Sequence, residues 1–265
     1  MAEALLGLAG PLYLAALIGG FAAMALWETV RPLRPASVPL APRWINNLGL
    51  LFINQAVMRL ALPLAGLSVA LLAASRGWGL LPLLEVPAVL AVPLAVVMLD
   101  GVRWAAHRAM HWPGLWRLHR VHHSDLDFDC TIELRFHPGE ALLAQALLSL
   151  AIVALGAPPL AVLLSDLLTL VCGYFTHANV QLPPRLERVL RSVLITPDLH
   201  RVHHSARVDE SMSNYGVLLS VWDRWFGSYR AHPADDHLGM QFGLAELREP
   251  RQLTLARLLW LPFRR

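Results

Sequence analysis

Long apolar runs alternate with polar stretches along this chain, and the run lengths match a helical membrane protein. A helix that crosses a bilayer needs roughly 20 apolar residues, and Leu5 to Trp27 meets that length. A second run, Asn47 to Ala74, is punctuated in its first half by Asn54, Gln55 and Arg59. A third, Leu80 to Leu99, carries Pro82, Pro87 and Pro93, which predict kinks of the kind tolerated where neighbouring helices re-satisfy the backbone. Residues 101–139 are rich in His, Arg, Trp and Asp and read as a polar region beside the membrane. Ala141–Leu155 and Leu160–Phe175, on either side of Gly156-Ala157-Pro158-Pro159, predict a helical hairpin over 141–175 that either spans the bilayer or enters it in part. From Thr176 the chain is mostly polar and closes in an amphipathic tail, Leu253–Phe263, followed by Arg264 and Arg265. The predicted fold is all-α: a polytopic membrane helical bundle, mainly residues 1–100, bearing a cytoplasmic histidine-rich helical cap built from 101–140 and 176–240.

Composition supports that reading. The 265 residues are 56 % hydrophobic and only 15 % charged, with a mean hydropathy of +0.48, which excludes an ordinary soluble domain. No linker or low-complexity tail divides the chain, so residues 1–265 are expected to form a single unit. The first apolar run lacks a basic leader and a small-residue cleavage site, and is read as a retained helix. All 22 basic residues are arginine, and the pI is near 9.3. The arginines cluster in loops beside apolar runs instead of along one face, which fits membrane topology and no nucleic-acid partner. With an external N-terminus, Arg31, Arg34, Arg43, the 101–139 region and everything after 176 share one side, opposite Arg76 and the 156–159 turn. The positive-inside rule makes the arginine-rich side cytoplasmic. The expected location is a multi-pass protein of a bacterial inner membrane. Cys130 and Cys172 have no CxxC partner and supply no thiolate metal site.

The chemistry lies in the histidines. His119-Arg120-Val121-His122-His123-Ser124 recurs residue for residue as His200-Arg201-Val202-His203-His204-Ser205. On a helix, positions i, i+3 and i+4 share one face, so each copy presents three imidazoles as a patch. His107 and His111 form an i, i+4 pair continuing from the third apolar run, and Pro113-Gly114 turns the first hexapeptide back onto them. His177 sits where the last apolar run re-emerges. The candidate ligands are therefore His107, His111, His119, His122, His123, His177, His200, His203 and His204, too many for one ion. Two metals with four or five nitrogens each would use them, and imidazole suits iron, zinc, copper and nickel. Asp100, Glu133, Glu140 and Asp198 flank the clusters, and partnering ring N–H groups is the natural role for some of them. His137 is read as a helix cap or ligand orienter, and His232 and His237 as members of a solvated loop. Asp166, inside an apolar run, must face protein or a cavity. Trp112, Trp116, Trp222, Trp225 and Tyr229 are read as an interfacial aromatic belt.

The ordered boxes HRAMH, HRVHH, HxN and HRVHH resemble those of the fatty acid hydroxylase/sterol desaturase superfamily of membrane di-iron enzymes. The segments Asn214-Tyr215-Gly216 and Trp222 through Tyr229 resemble that family's tail, and the likeness covers about residues 95–230. One position departs from it: some members carry a further histidine where this chain has Gln181. The resemblance implies two iron ions, with zinc able to substitute, that activate dioxygen to hydroxylate or desaturate a C–H bond of a lipid drawn from the bilayer. The chain contains no GxGxxG, CxxCH or cysteine cluster, so an external electron-transfer protein is implied as partner. Two readings stay open from the residues alone: a non-enzymatic membrane metal- or haem-binding protein, and a two-zinc membrane hydrolase.

Overall fold

The computed structural model describes residues 2–62 and 65–264. Helix α1 contains the continuous apolar stretch Leu5–Val30, with a π turn at Ala16–Gly20. It is followed by α2 (Leu40–Ala61), α3 (Leu67–Arg76), α4 (Leu80–Leu83), α5 (Ala88–Met110), α6 (Pro113–His123), α7 (Pro138–Leu155), α8 (Pro159–Thr176), α9 (Pro184–Leu190) and α10 (Pro197–His203). Three short helices, α11 (Val208–Ser211), α12 (Val221–Trp225) and α13 (Leu255–Trp260), complete it. The described residues contain no strand, only isolated bridges between Leu194 and Leu219 and between Ser205 and Phe242.

Among the described residues, four stretches are long and apolar enough to cross a membrane: Leu5–Val30 of α1, and α5, α7 and α8. Their outward faces expose Leu26, Val89, Leu90 and Leu150. Inside, Ala91, Ala95 and Ala161 let backbones approach while Leu99, Leu148 and Ile152 fill the space between them, the small-and-large packing that holds helices together in lipid. Proline starts α7 and α8, where the missing N–H has no partner to lose. Gly156 ends α7 with φ 63°, and a side chain there would meet the Trp78 carbonyl at 2.3 Å. The tight 156–159 turn therefore depends on that glycine.

Two expected runs divide. The Asn47–Ala74 run is two helices: α2 ends at Ala61, and α3 starts from Gly66 at φ 52°. Residues 63 and 64 of that run, like Arg265 of the tail, lie outside the described residues. The Leu80–Leu99 run breaks after α4. Glu85 adopts φ 51°, and Pro87 caps α5 instead of kinking it, because the residue before a proline is pushed out of helical geometry. Helix α5 then runs past Asp100 to Met110, so the first part of the supposed polar region is one rod with the membrane helix. Asp100 does not stop it, because its buried carboxylate accepts the backbone N–H groups of Leu218 and Leu219 and the Trp222 indole N–H.

The rest of the first polar region is also not a solvated surface. Residues 121–132 are all buried. Arg43 of α2 pairs with Asp125 and Asp129 at 2.6 Å each. The fully buried Arg135 donates to the Val121 carbonyl, Asn47 and Ser124. Burial alone would raise the Asp125 carboxyl, yet Arg43 and Arg135 beside it bring it down to about 2. The predicted amphipathic tail is borne out: α13 packs Leu258 with Leu50 and Val121 and leaves Trp260 exposed.

Candidate metal centre

The structure brings all nine predicted histidines into one cluster. His107 lies in the last turn of α5, and His111 directly follows that helix. His119, His122 and His123 sit on α6. His177 caps α8, and α10 carries His200 and His203 with His204 as its cap. The Pro113-Gly114 turn folds α6 back as expected, bringing His119 Nε2 within 3.1 Å of His107 Nε2.

The nine divide into a group of five (His107, His111, His119, His123, His203) and a group of four (His122, His177, His200, His204). Within each, one nitrogen per ring lies within 4.8 Å of all the others. Each group takes histidines from both copies of the hexapeptide. The spacing fits ligation: two nitrogens bound to one ion at about 2.1 Å sit about 3.0–3.4 Å apart. His123 and His119 Nε2 are 3.1 Å apart, and His200 and His177 Nε2 are 3.0 Å apart. Both nitrogens of His111, and Nε2 of His203 and His204, are buried without a hydrogen-bond partner. An unpaired buried polar atom costs about 1–3 kcal/mol, and an ion in each group would relieve it. The donor set therefore fits metal.

Hydrogen bonds at Nδ1 turn four rings so that Nε2 faces inward. His107 faces the Tyr215 carbonyl at 2.8 Å, His203 the Ser213 carbonyl at 2.7 Å, and His119 the Glu140 carboxylate at 2.5 Å. His177 lies between the Gly173 carbonyl (2.8 Å) and Glu133 (3.2 Å). Of the four flanking acids, Glu140 takes this role at His119, and Glu133 stands 3.2 Å from His177 Nδ1. Asp100 instead accepts the Leu218 and Leu219 backbone N–H groups and the Trp222 indole N–H, and Asp198 pairs with Arg201. The Tyr215 and Ser213 carbonyls are partners that side-chain chemistry could not reveal. Asp223 holds the first of them in place, accepting from Trp104 Nε1, the Tyr215 and Gly216 N–H groups and Ser228. Asp223→Ala would strand these buried donors, and about 3 kcal/mol of lost stability is expected, read as a lower unfolding temperature in detergent.

Burial, and then the neighbouring imidazoles, push His111, His122, His123, His200, His203 and His204 below their ordinary titration range. The rings are neutral at pH 7 and ready to bind metal. In the metal-free chain, unfolding returns them to a pKa near 6.5, so the unfolded state binds more protons below that pH. Metal-free protein is thus expected to lose stability as pH falls from 6.5 toward 5.5, each group contributing up to about 1.4 kcal/mol per pH unit. Unfolding midpoints across that range check it, and a flat profile would contradict it.

A cavity of about 460 Å³ opens against the cluster. His107, His119, His122, His177 and His200 line one end, with apolar walls from Val102, Ala106, Met110, Ala144 and Leu148. Asp166 faces this cavity and not lipid, held by Tyr13 and Arg103. It therefore ties α1, α5 and α8 together as well as shaping the cavity wall. His137 caps α7 by accepting from the Gly139 N–H. His232 is exposed as expected, whereas His237 is half-buried near Asp198. Trp112 and Trp225 are exposed, whereas Trp222 is bonded to Asp100 and the Trp116 ring lies against His111 and His123. Gln181 is exposed.

A family profile described as Fatty acid hydroxylase matches residues 92–228. The chain is 34 % identical to the ornithine lipid hydroxylase OlsE of Rhizobium tropici over 148 residues, 56 % of this chain and 44 % of that protein. It is 30 % identical to an alkylglycerol monooxygenase of Caenorhabditis elegans over 52 % of this chain and 26 % of that protein. The human alkylglycerol monooxygenase is 29 % identical over 49 % and 28 % of the respective lengths. The chain thus spans less than half the length of the curated relatives it matches. No solved structure matches it.

Proposed function

Since the chain belongs to the fatty acid hydroxylase family, we propose that it is a membrane oxygenase whose nine histidines hold two iron ions and which hydroxylates a lipid C–H bond. The observation that carries this reading is the placement of both histidine groups at one end of a single apolar-walled cavity. Bound iron would supply the redox chemistry, with the balance R–H + O2 + 2 e⁻ + 2 H⁺ → R–OH + H2O. An external electron-transfer protein supplies the electrons. Hydroxylation is preferred to desaturation because the relatives are a lipid hydroxylase and monooxygenases by name.

The chain's own residues bind, orient and exclude water. Val102, Ala106, Met110 and Leu148 would hold an alkyl segment of the lipid against the histidines. Glu140 accepts the ring N–H of His119 and the Gly173 carbonyl accepts that of His177, with the Glu133 carboxylate beside it, and these partners keep Nε2 directed inward. The packing of rings at centroid distances such as 4.5 and 4.7 Å leaves no slot for a porphyrin, which disfavours the haem reading. The whole chain forms one unit in this reading, with the 101–140 and 176–240 segments as a cap. The arginine-rich side is cytoplasmic by the positive-inside rule.

Membrane-extracted protein is expected to hold about two irons per chain and to add one oxygen atom to a cellular lipid, seen by mass spectrometry, only when O2 and reductant are both present. One metal per chain, or activity without oxygen, would sink the proposal, and the latter result would favour a two-zinc hydrolase.

A further inference from the structure

The histidine cluster has two faces. The cavity touches His107, His119, His122, His177 and His200, while His111, His123, His203 and His204 lie outside its lining. Two aromatic side chains cover the first three. Trp116 lies 5.1 Å from His111 and 5.2 Å from His123 between ring centroids, and Tyr215 packs on His111 and His203 at 5.0 and 5.5 Å. Tyr215 is buried, but Trp116 is half-exposed on α6 and so reaches from the outer surface to two rings of the five-histidine group.

The surface around Trp116 is basic. Between Asp100 and Asp125 the chain carries Arg103, Arg108, Arg117 and Arg120 and no acidic residue. Arg103 is taken up by Asp166 inside the bundle. Arg108 and Arg117 are exposed on either side of the α5–α6 corner, beside Trp112 at 64 % exposure. Among acids from other elements, Glu246 lies near Arg120, and Asp209 and Glu210 of α11 are paired with Arg207 and Arg230. A charge-complementary partner for this corner is acidic.

Resting on the oxygenase reading above, we propose that an acidic one-electron carrier protein docks on the α5–α6 corner, with Arg108 and Arg117 holding it and Trp116 as the contact through which electrons reach the five-histidine group. Two encounters supply the two electrons of one turnover, and each oxidises one carrier by one electron. No bond forms or breaks at Trp116. The arrangement separates the inputs: lipid occupies the cavity face, and electrons enter by the face the lipid does not use. An anionic lipid surface would also attract the arginines, but it would gain nothing from an aromatic ring laid against His111 and His123, so the carrier is the occupant the geometry favours.

The test uses the full chain, metal-loaded and in nanodiscs, with a reduced acidic [2Fe–2S] ferredoxin as probe. Wild type should bind it in a salt-sensitive manner by surface plasmon resonance. The double variant Arg108→Glu, Arg117→Glu should bind at least 10-fold more weakly, while lipid oxidation driven by dithionite stays within about threefold of wild type. Trp116→Leu should leave binding within twofold but slow ferredoxin oxidation at least 10-fold, with partial rescue by Trp116→Phe. No salt-sensitive binding by wild type, or charge reversal without effect on it, overturns the proposal. So does a Trp116→Leu defect of equal size with ferredoxin and with dithionite, which would mark a structural role. Trp116 fluorescence, read as wild type minus Trp116→Phe, should resist quenching by brominated phosphatidylglycerol; strong quenching would assign the corner to the membrane. If no reductant drives lipid oxidation, the oxygenase reading falls, and the binding measurement judges the docking face by itself.

Discussion

Alanine in place of His203 or His122 is expected to remove one of two metal ions and to abolish the lipid mass shift. His203 belongs to the group of five and His122 to the group of four, so each substitution strikes a different group. Loss of a partner that merely orients a ligand costs about 10–100-fold in metal affinity, and loss of the ligand itself should cost at least that much. Metal content should fall from about two to about one per chain in either variant, with product below detection in both. His237→Ala is the control, because that ring lies outside both groups, 3.9 Å from Asp198. It should leave metal content and product unchanged. Equal effects from all three substitutions would undo the ligand assignment.

Gly173→Ala should weaken the four-histidine group without touching a ligand. Gly173 is buried in α8, and a Cβ there would stand 2.3–2.4 Å from three atoms of the Glu133 carboxyl group. The carboxylate must then leave its place beside His177 Nδ1, and among the described residues it is the only acid within 4.0 Å of that nitrogen. The expected cost is about 10–100-fold in metal affinity at this group, measured by competition with a chelator, while the five-histidine group keeps its ion. Glu133→Gln keeps the volume, loses the charge and should show a smaller effect in the same direction. If Gly173→Ala instead lowers the unfolding temperature and releases both ions, the glycine serves helix packing and not the orientation of His177.

The histidine cluster was legible because spacing along a helix is geometry: i, i+3 and i+4 place His119, His122 and His123 on one face wherever α6 sits. The turn at Pro113-Gly114 was legible for a similar reason, since proline starts a helix and cannot continue one. The break between α2 and α3 was not, because leucine and alanine look alike inside a helix, at its end and in a turn. Buried polar sequence was misread in the opposite way. Residues 124–135 carry three aspartates, a glutamate and an arginine, and the buried aspartates are satisfied by Arg43, Asn47 and the Ser37 and Val38 N–H groups, some 80–90 positions earlier. The carbonyls of Ser213 and Tyr215 carry no side-chain signature, so only the likeness of the 214–229 segment to a known family marked that region.

Neither copy of the repeated hexapeptide owns a metal site. The group of five joins His119 and His123 to His203, and the group of four joins His122 to His200 and His204. An ion in either position would therefore fasten α6 to α10 across some 80 residues of intervening chain. In time as in space, neither group is complete until the second copy has been synthesised. Metal loading would then be a final clasp on a finished fold, and a chelator that strips the ions should loosen the α6–α10 contact before it melts the membrane helices.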